Sequence, residues 1–230
     1  MKKFILKGEN YYRIMMILGM ALCVLWVLLV DTKPFSDFDY YYRLSVEIAN
    51  GLPWGDTYTS VGYCMLLAGV FKLFGASLFK AKLLNLFLTF ASYVLFYGVI
   101  KRVNLKERDR KIIFTLYVFM PNNIFYNSLI ATELLFTTIL IFITFIYFSD
   151  IKYKYMYIGV LVGLNTLIKP FFIVYFFAVF LLELLIEKKI ILSIKNSLIV
   201  LIISAITIAP WIYRNTKRSE ERRVGKECRS

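Results

Sequence analysis

The sequence predicts an all-α polytopic membrane protein of about seven transmembrane helices, with interfacial helices in the first outer loop. Three observations carry this. Hydrophobic residues make up 60% of the 230 positions, against roughly 45–50% in soluble domains. The excess falls in long runs almost free of charge, a pattern that lipid rather than water selects. Finally, the basic residues cluster between those runs, 28 Lys and Arg against 15 Asp and Glu. A net charge of +13 fits either a nucleic-acid ligand or an anionic membrane face. The chain has no histidine, which excludes His-based triads, histidine zinc sites and an imidazole proton shuttle. Its three cysteines, Cys23, Cys64 and Cys228, are scattered and odd in number, so no disulfide framework is implied.

The last thirteen residues, RSEERRVGKECRS from Arg218 to Ser230, break from the apolar pattern. They read as the in-frame translation of a common sequencing adapter, and are set aside from fold reasoning as a fusion scar would be. On that reading residues 1–217 are the N-terminal part of a longer transmembrane domain and residues 218–230 are an artefact. Removing the tail's five basic and three acidic residues leaves 23 and 12, a net of +11.

The first span is Ile14 to Val30, bounded by Arg13 and Asp31. Leu83 to Ile100 is next, followed by the charged run KRVNLKERDRK. Ile112 to about Tyr126 crosses again, interrupted by Pro121, and Leu134 to Ser149 follows. Tyr155–Ile168, Phe171–Ile186 and Ser197–Pro210 complete the set. Val61 to Leu78 is also apolar, but the positive-inside rule places it along or within the outer face. With the N-terminus cytoplasmic, the inner side then holds 15 basic residues and the outer loops only eight. The charge thus encodes orientation, and no nucleic-acid partner is needed.

The first outer loop, residues 31–82, holds the residues most apt for chemistry. Its segment DTKPFSDFDYYYRLSVEIANGLPWGDTYTS contains a short helix. Ser36 with Asp39 three residues later has capping-box spacing; Asn50-Gly51 and Pro53 supply the stop. Tyr40, Tyr41 and Tyr42 suit the membrane surface. Positions two apart on a helix point to nearly opposite sides. Asp39 has an ordinary partner in Arg43, four residues on. Asp37 has none nearby, so it is the stronger candidate for reactivity, although the helix dipole alone would also favour an acid there. Asp56 reads as a turn residue.

The order of first span, SDxxYYxxLxxxIANG helix and a Gly62-Tyr63 apolar stretch ending in FG resembles C-type glycosyltransferases that use polyprenyl-phosphate sugars. The likeness is to glycosyltransferase family 39, which includes the protein O-mannosyltransferase and aminoarabinose-transferase-like proteins. PNNIFYNSLIATELLF, Pro121 to Phe136, is similar to that family's second outer loop, and IAPWIYRN, Ile208 to Asn215, to its PW–RN segment. The likeness runs from Ile14 to Lys217, with Cys64 standing where many relatives have proline.

The resemblance implies an inverting transfer of a monosaccharide from a polyprenyl-phosphate donor to an acceptor hydroxyl at the outer face of a bacterial plasma membrane. The donor would be a lipid-linked sugar substrate rather than a cofactor. The acceptor would be a lipid, a protein or a polysaccharide of the cell envelope. Asp37 matches the family's catalytic aspartate, and a carboxylate there suits the role of base. Glu133, at the start of a span, is the second catalytic candidate; its position also fits a dipole-stabilised helix start. Asp39, Arg43, Lys169 and Arg214 are the candidate substrate-binding residues, the cations answering the departing phosphate. Lys169 also fits an interfacial anchor. Glu183 and Glu187 are expected to pair or snorkel beside Lys188 and Lys189. No metal is called for; without histidine one would need oxygen ligands. The competing readings are a transporter or lipid flippase, which would place charges near the bilayer midplane, and a non-catalytic membrane scaffold.

Overall fold

The computed structural model describes residues 8–52 and 59–227, with side chains as far as Ser219. Pro53 and Asp56 lie outside the described residues. Every regular element among the described residues is helical: ten α-helices and two 3₁₀ turns. They group into two compact units, residues 1–52 with 63–150 and residues 53–62 with 151–230.

Unit 1 begins with α1 (Gly8–Leu29). It continues through α2 (Asp37–Ala49), α3 (Gly62–Phe74, of which Gly62 falls in unit 2) and α4 (Leu78–Arg102). It ends with α5 (Glu107–Val118), the one-turn α6 (Pro121–Phe125) and α7 (Glu133–Tyr147). Unit 2 comprises α8 (Lys154–Thr166), a 3₁₀ turn (Pro170–Val174), α9 (Tyr175–Glu187) and α10 (Ile190–Glu227). The last helix carries Pro210 inside it and runs unbroken into the charged tail.

Among the described residues four stretches are long and apolar enough to cross a membrane: Glu9–Leu29, Leu78–Arg102, Pro170–Glu187 and Ile190–Ser219. Large apolar side chains such as Ile17, Leu29, Phe87, Leu185 and Ile206 face outward on them, as lipid contact requires. At 12, 15 and 13 residues, α5, α7 and α8 fall short of the roughly 20 that a perpendicular span needs. The apolar stretch from residue 61 to 78 is a single 13-residue helix, α3, only about 20 Å long at the usual helical rise.

A core of Tyr12, Tyr93, Ile100, Phe114 and Val118 joins α1, α4 and α5 in unit 1. Gly19 permits this, because a Cβ there would lie 2.3 Å from the Val118 side chain. Between α5 and α7 the chain is irregular, and its carbonyls need partners. Fully buried Asn85 of α4 supplies them, its amide donating to the Tyr126, Asn127 and Leu129 carbonyls at 3.3, 3.4 and 2.5 Å. Thr89 donates to the Asn127 side chain at 3.1 Å, and Trp26 of α1 to the Ser128 hydroxyl at 3.1 Å. Irregular backbone survives in apolar surroundings only when protein satisfies it.

Unit 2 is held differently. Gly159 and Gly163 of α8 face α10, where added Cβ atoms would lie 2.7 Å from Ile203 and 2.5 Å from Thr207. Small residues four apart let two helix backbones meet closely, the usual means of packing where no water drives association.

Candidate functional site

The candidate residues of unit 1 lie on α2, α3 and the start of α7. Asp37 is the first residue of α2 and is exposed. Ser36 precedes it at φ 50°, ψ −129° and makes no side-chain cap hydrogen bond. The expected capping box is therefore absent: a capping hydroxyl needs an extended backbone to reach the first-turn amides, and Ser36 does not have one. Asp39 instead holds Arg43 at 3.0 Å. The C-terminal stop forms as the sequence implies, with Gly51 at φ 74° and the Leu52 amide donating to the Glu47 carbonyl at 3.0 Å.

Four residues along α2 from Asp37 lies half-buried Tyr41. Its ring meets that of fully buried Tyr63 edge-on at 6.3 Å, and Tyr42 packs on Phe71 at 5.4 Å. Burial pushes the Tyr41 phenol above its ordinary range, and the Asp37, Cys64 and Glu133 charges add to that push. Tyr63 is raised in the same way, first by burial and then by Cys64 and Glu133. Burial is the larger cause, and the carboxylates of Asp37 and Glu133, each at a helix start, add to it. Glu133 is half-buried, and the adjacent Thr132 hydroxyl donates to its Oε2 at 3.5 Å. Burial pushes the Cys64 thiol up to about 12, with the Ser45 hydroxyl partly opposing it, so Cys64 is no nucleophile.

The remaining candidates separate. Arg43 is committed to Asp39, both largely exposed. Lys169 and Arg214 belong to unit 2. Lys169 precedes the 3₁₀ turn, its backbone amide bonded to the Asn165 carbonyl at 2.9 Å. The Arg214 guanidinium lies 4.7 Å from the Trp211 ring centre and donates to Asn215 at 2.7 Å. Glu183 does not snorkel beside the lysines: it is 3% exposed and accepts hydrogen bonds from Tyr155 at 2.7 Å and Asn196 at 2.9 Å. A carboxylate with two neutral donors on neighbouring helices gains more by staying inside than by reaching for water. Glu187 is exposed.

Sequence reasoning passed over Tyr41 and treated it as one of three interfacial tyrosines. The signal available was its spacing, four residues from Asp37, which puts both on one helix face.

Fold and site together define a helical protein with segments long and apolar enough to cross a membrane, and with Asp37, Tyr41 and Glu133 in one unit. Compared with known proteins, the chain matches no family model, no curated protein and no solved structure.

Proposed function

We propose that the chain is part of a membrane glycosyltransferase that moves a monosaccharide from a polyprenyl-phosphate donor to an acceptor hydroxyl. In this reading about seven segments cross the membrane, the short helices by local thinning of the bilayer and snorkelling of flanking residues. The N-terminus is cytoplasmic and α2 lies at the outer surface of a bacterial plasma membrane. Asp37 takes the acceptor's proton as its oxygen attacks the anomeric carbon, and the polyprenyl phosphate leaves with the bonding pair. The protonated Tyr41 and Glu133 orient the acceptor, and basic side chains offset the leaving phosphate.

The observation that carries this reading is the exposed Asp37 at the start of α2, one turn before Tyr41, whose ring packs on Tyr63 of α3. The likeness of the first-loop helix to family 39 supports it. The assay is transfer from a panel of polyprenyl-phosphate sugars by purified protein, with Asp37→Asn beside it. Loss of a general base costs on the order of 10²–10⁴ in rate; undiminished transfer would remove Asp37 from the mechanism.

A transporter or flippase is favoured by one observation, the buried Glu183 with Tyr155 and Asn196, since ionisable groups within spans often mark transport paths. Lipid translocation by wild type and its loss in Glu183→Gln, with no sugar transfer from any donor, would select that reading.

A further inference from the structure

Unit 2 contains an open-mouthed cavity of about 310 Å³, at the lower end of the roughly 300–1,000 Å³ typical of ligand pockets. Every residue that lines it belongs to that unit. The end of α8, the 3₁₀ turn after it and the stretch of α10 around Pro210 form most of the wall. Thr59 and Ser60 complete it from the chain before α3. That chain is held close, because the Gly62 amide donates to the Leu167 carbonyl at 2.9 Å. A Cβ on Gly62 would lie 2.9 Å from the same carbonyl carbon, so a larger residue would push this wall away.

The lining selects a ligand by what it holds. Six of its ten residues are apolar, and four carry neutral polar side chains: Thr59, Ser60, Thr166 and Asn215. No lysine, arginine, aspartate or glutamate lines it among the described residues. An anion or a metal ion would therefore meet no opposite charge in the wall. Arg214, next to Asn215, holds its guanidinium over the Trp211 ring at 4.7 Å and donates to Asn215. A bare acyl chain would desolvate four polar groups and return no hydrogen bonds. The Thr166 hydroxyl already donates to the Val162 carbonyl at 2.7 Å, so it can only accept from a ligand. Half-buried Ser60 makes no side-chain hydrogen bond among the described residues and can donate. Hydroxyl groups, donor and acceptor in one, match that pair. Trp211 and Ile208 offer the apolar surface on which the C–H face of a sugar ring packs.

Trp211 and Asn215 stand near the C-terminal end of the apolar stretch Ile190–Ser219, and indole rings favour the headgroup level of a bilayer. The 3₁₀ turn that contributes Pro170 and Ile173 also exposes Phe171 and Val174, and Ile212 of the wall is 54% exposed. These side chains suit acyl chains beside the cavity. We infer that the cavity binds the neutral sugar headgroup of a membrane glycolipid, one ring packed on Trp211 with its chains outside in the bilayer. The inference is independent of sugar transfer by Asp37, since a transporter or a scaffold would present the same cavity.

The test is amide hydrogen exchange of the purified chain in nanodiscs of dioleoyl phosphatidylcholine. Monoglucosyl dioleoylglycerol, dioleoylglycerol or dioleoyl phosphatidic acid is added at equal mole fraction, or methyl glucoside is dissolved in the buffer. The glucosyl lipid slows exchange at residues 59–62, 166–173 and 208–215 and leaves residues 120–135 unchanged. The other two lipids need about tenfold more for the same protection, and methyl glucoside gives none. Trp211→Leu raises the half-saturating mole fraction about tenfold and Ser60→Ala severalfold, each with the wild-type Tm when no ligand is added. The inference is overturned if the glucosyl lipid protects none of these segments, or if either sugar-free lipid protects them equally. It is also overturned if methyl glucoside suffices, which would make the ligand a soluble sugar, or if Trp211→Leu binds as wild type does. Should Trp211→Leu fail to fold, Ser60→Ala decides, and an unchanged half-saturating mole fraction then overturns it. Sugar transfer is not read in any arm, so the outcome is separate from that of Asp37→Asn.

Discussion

The two units solve the same problem with opposite chemistry. Unit 1 contains irregular backbone between α5 and α7; Asn85, Asn127 and Trp26 side chains donate to its carbonyls, and Thr89 holds the Asn127 side chain. Unit 2 has long regular helices, and glycines bring them together at Gly159 and Gly163. The difference teaches where a site can be built. Polar clamps fix an irregular segment in one conformation and so fix Glu133, which follows it directly. Close helix packing gives adhesion, and the buried polar groups of unit 2, such as Glu183 with Tyr155 and Asn196, bond one another across its helices. The reactive cluster accordingly lies in the clamped unit.

The sharpest way to test the comparison is a change that alters chemistry and neither packing mode. Asp37→Asn keeps shape and exposure, and is expected to lower transfer by about 10²–10⁴, some 3–5 kcal/mol of barrier. Its Tm in detergent should match wild type. A large fall in Tm would mean that Asp37 holds unit 1 together and has no chemical role.

Next in size is Asn85→Leu, which takes the donor from the buried Asn127 and Leu129 carbonyls, while the Tyr126 carbonyl keeps the Leu129 amide. At about 1–3 kcal/mol for each unsatisfied group, and with partial relaxation, a loss of roughly 3–5 kcal/mol is expected. Hydrogen exchange should localise that loss to residues 120–135 and spare α8–α10. Equal deprotection of unit 2 would break the distinction between the units. The counterpart, Gly163→Leu, places a side chain where even a Cβ is 2.5 Å from Thr207. Overpacking typically costs about 1–3 kcal/mol, and here the faster exchange should fall on α8 and α10. Retained protection there would show that the glycine contact is not what joins them.

Much of the helical plan was legible. The first span was expected from Ile14 and the helix begins at Gly8; the second was expected from Leu83 and begins at Leu78. Long apolar runs specify helix existence well and helix ends poorly, because ends depend on caps and local partners. Pro121 correctly marked a break, but nothing local indicated that Asn85, some forty positions earlier, would satisfy the broken backbone. Glu183 was misplaced for the related reason that its partners, Tyr155 and Asn196, come from other helices. Asp37 and Asp39 were separable because a helix fixes their relative direction from sequence alone.

That last separation makes the smallest prediction the most specific. Asp39 and Arg43 form an exposed pair at 3.0 Å, four residues apart, and such helix pairs contribute about 0.3–0.5 kcal/mol. Asp39→Ala should therefore lower stability by no more than that, and the effect should fade in high salt. If the pair is structural, transfer changes by less than about twofold, because 0.4 kcal/mol corresponds to that factor at most. A tenfold or greater loss of transfer at unchanged Tm would place Asp39 or its freed partner Arg43 on the substrate. The chemistry would then spread along both faces of α2, where the roles proposed for Asp37 and Tyr41 keep it to one.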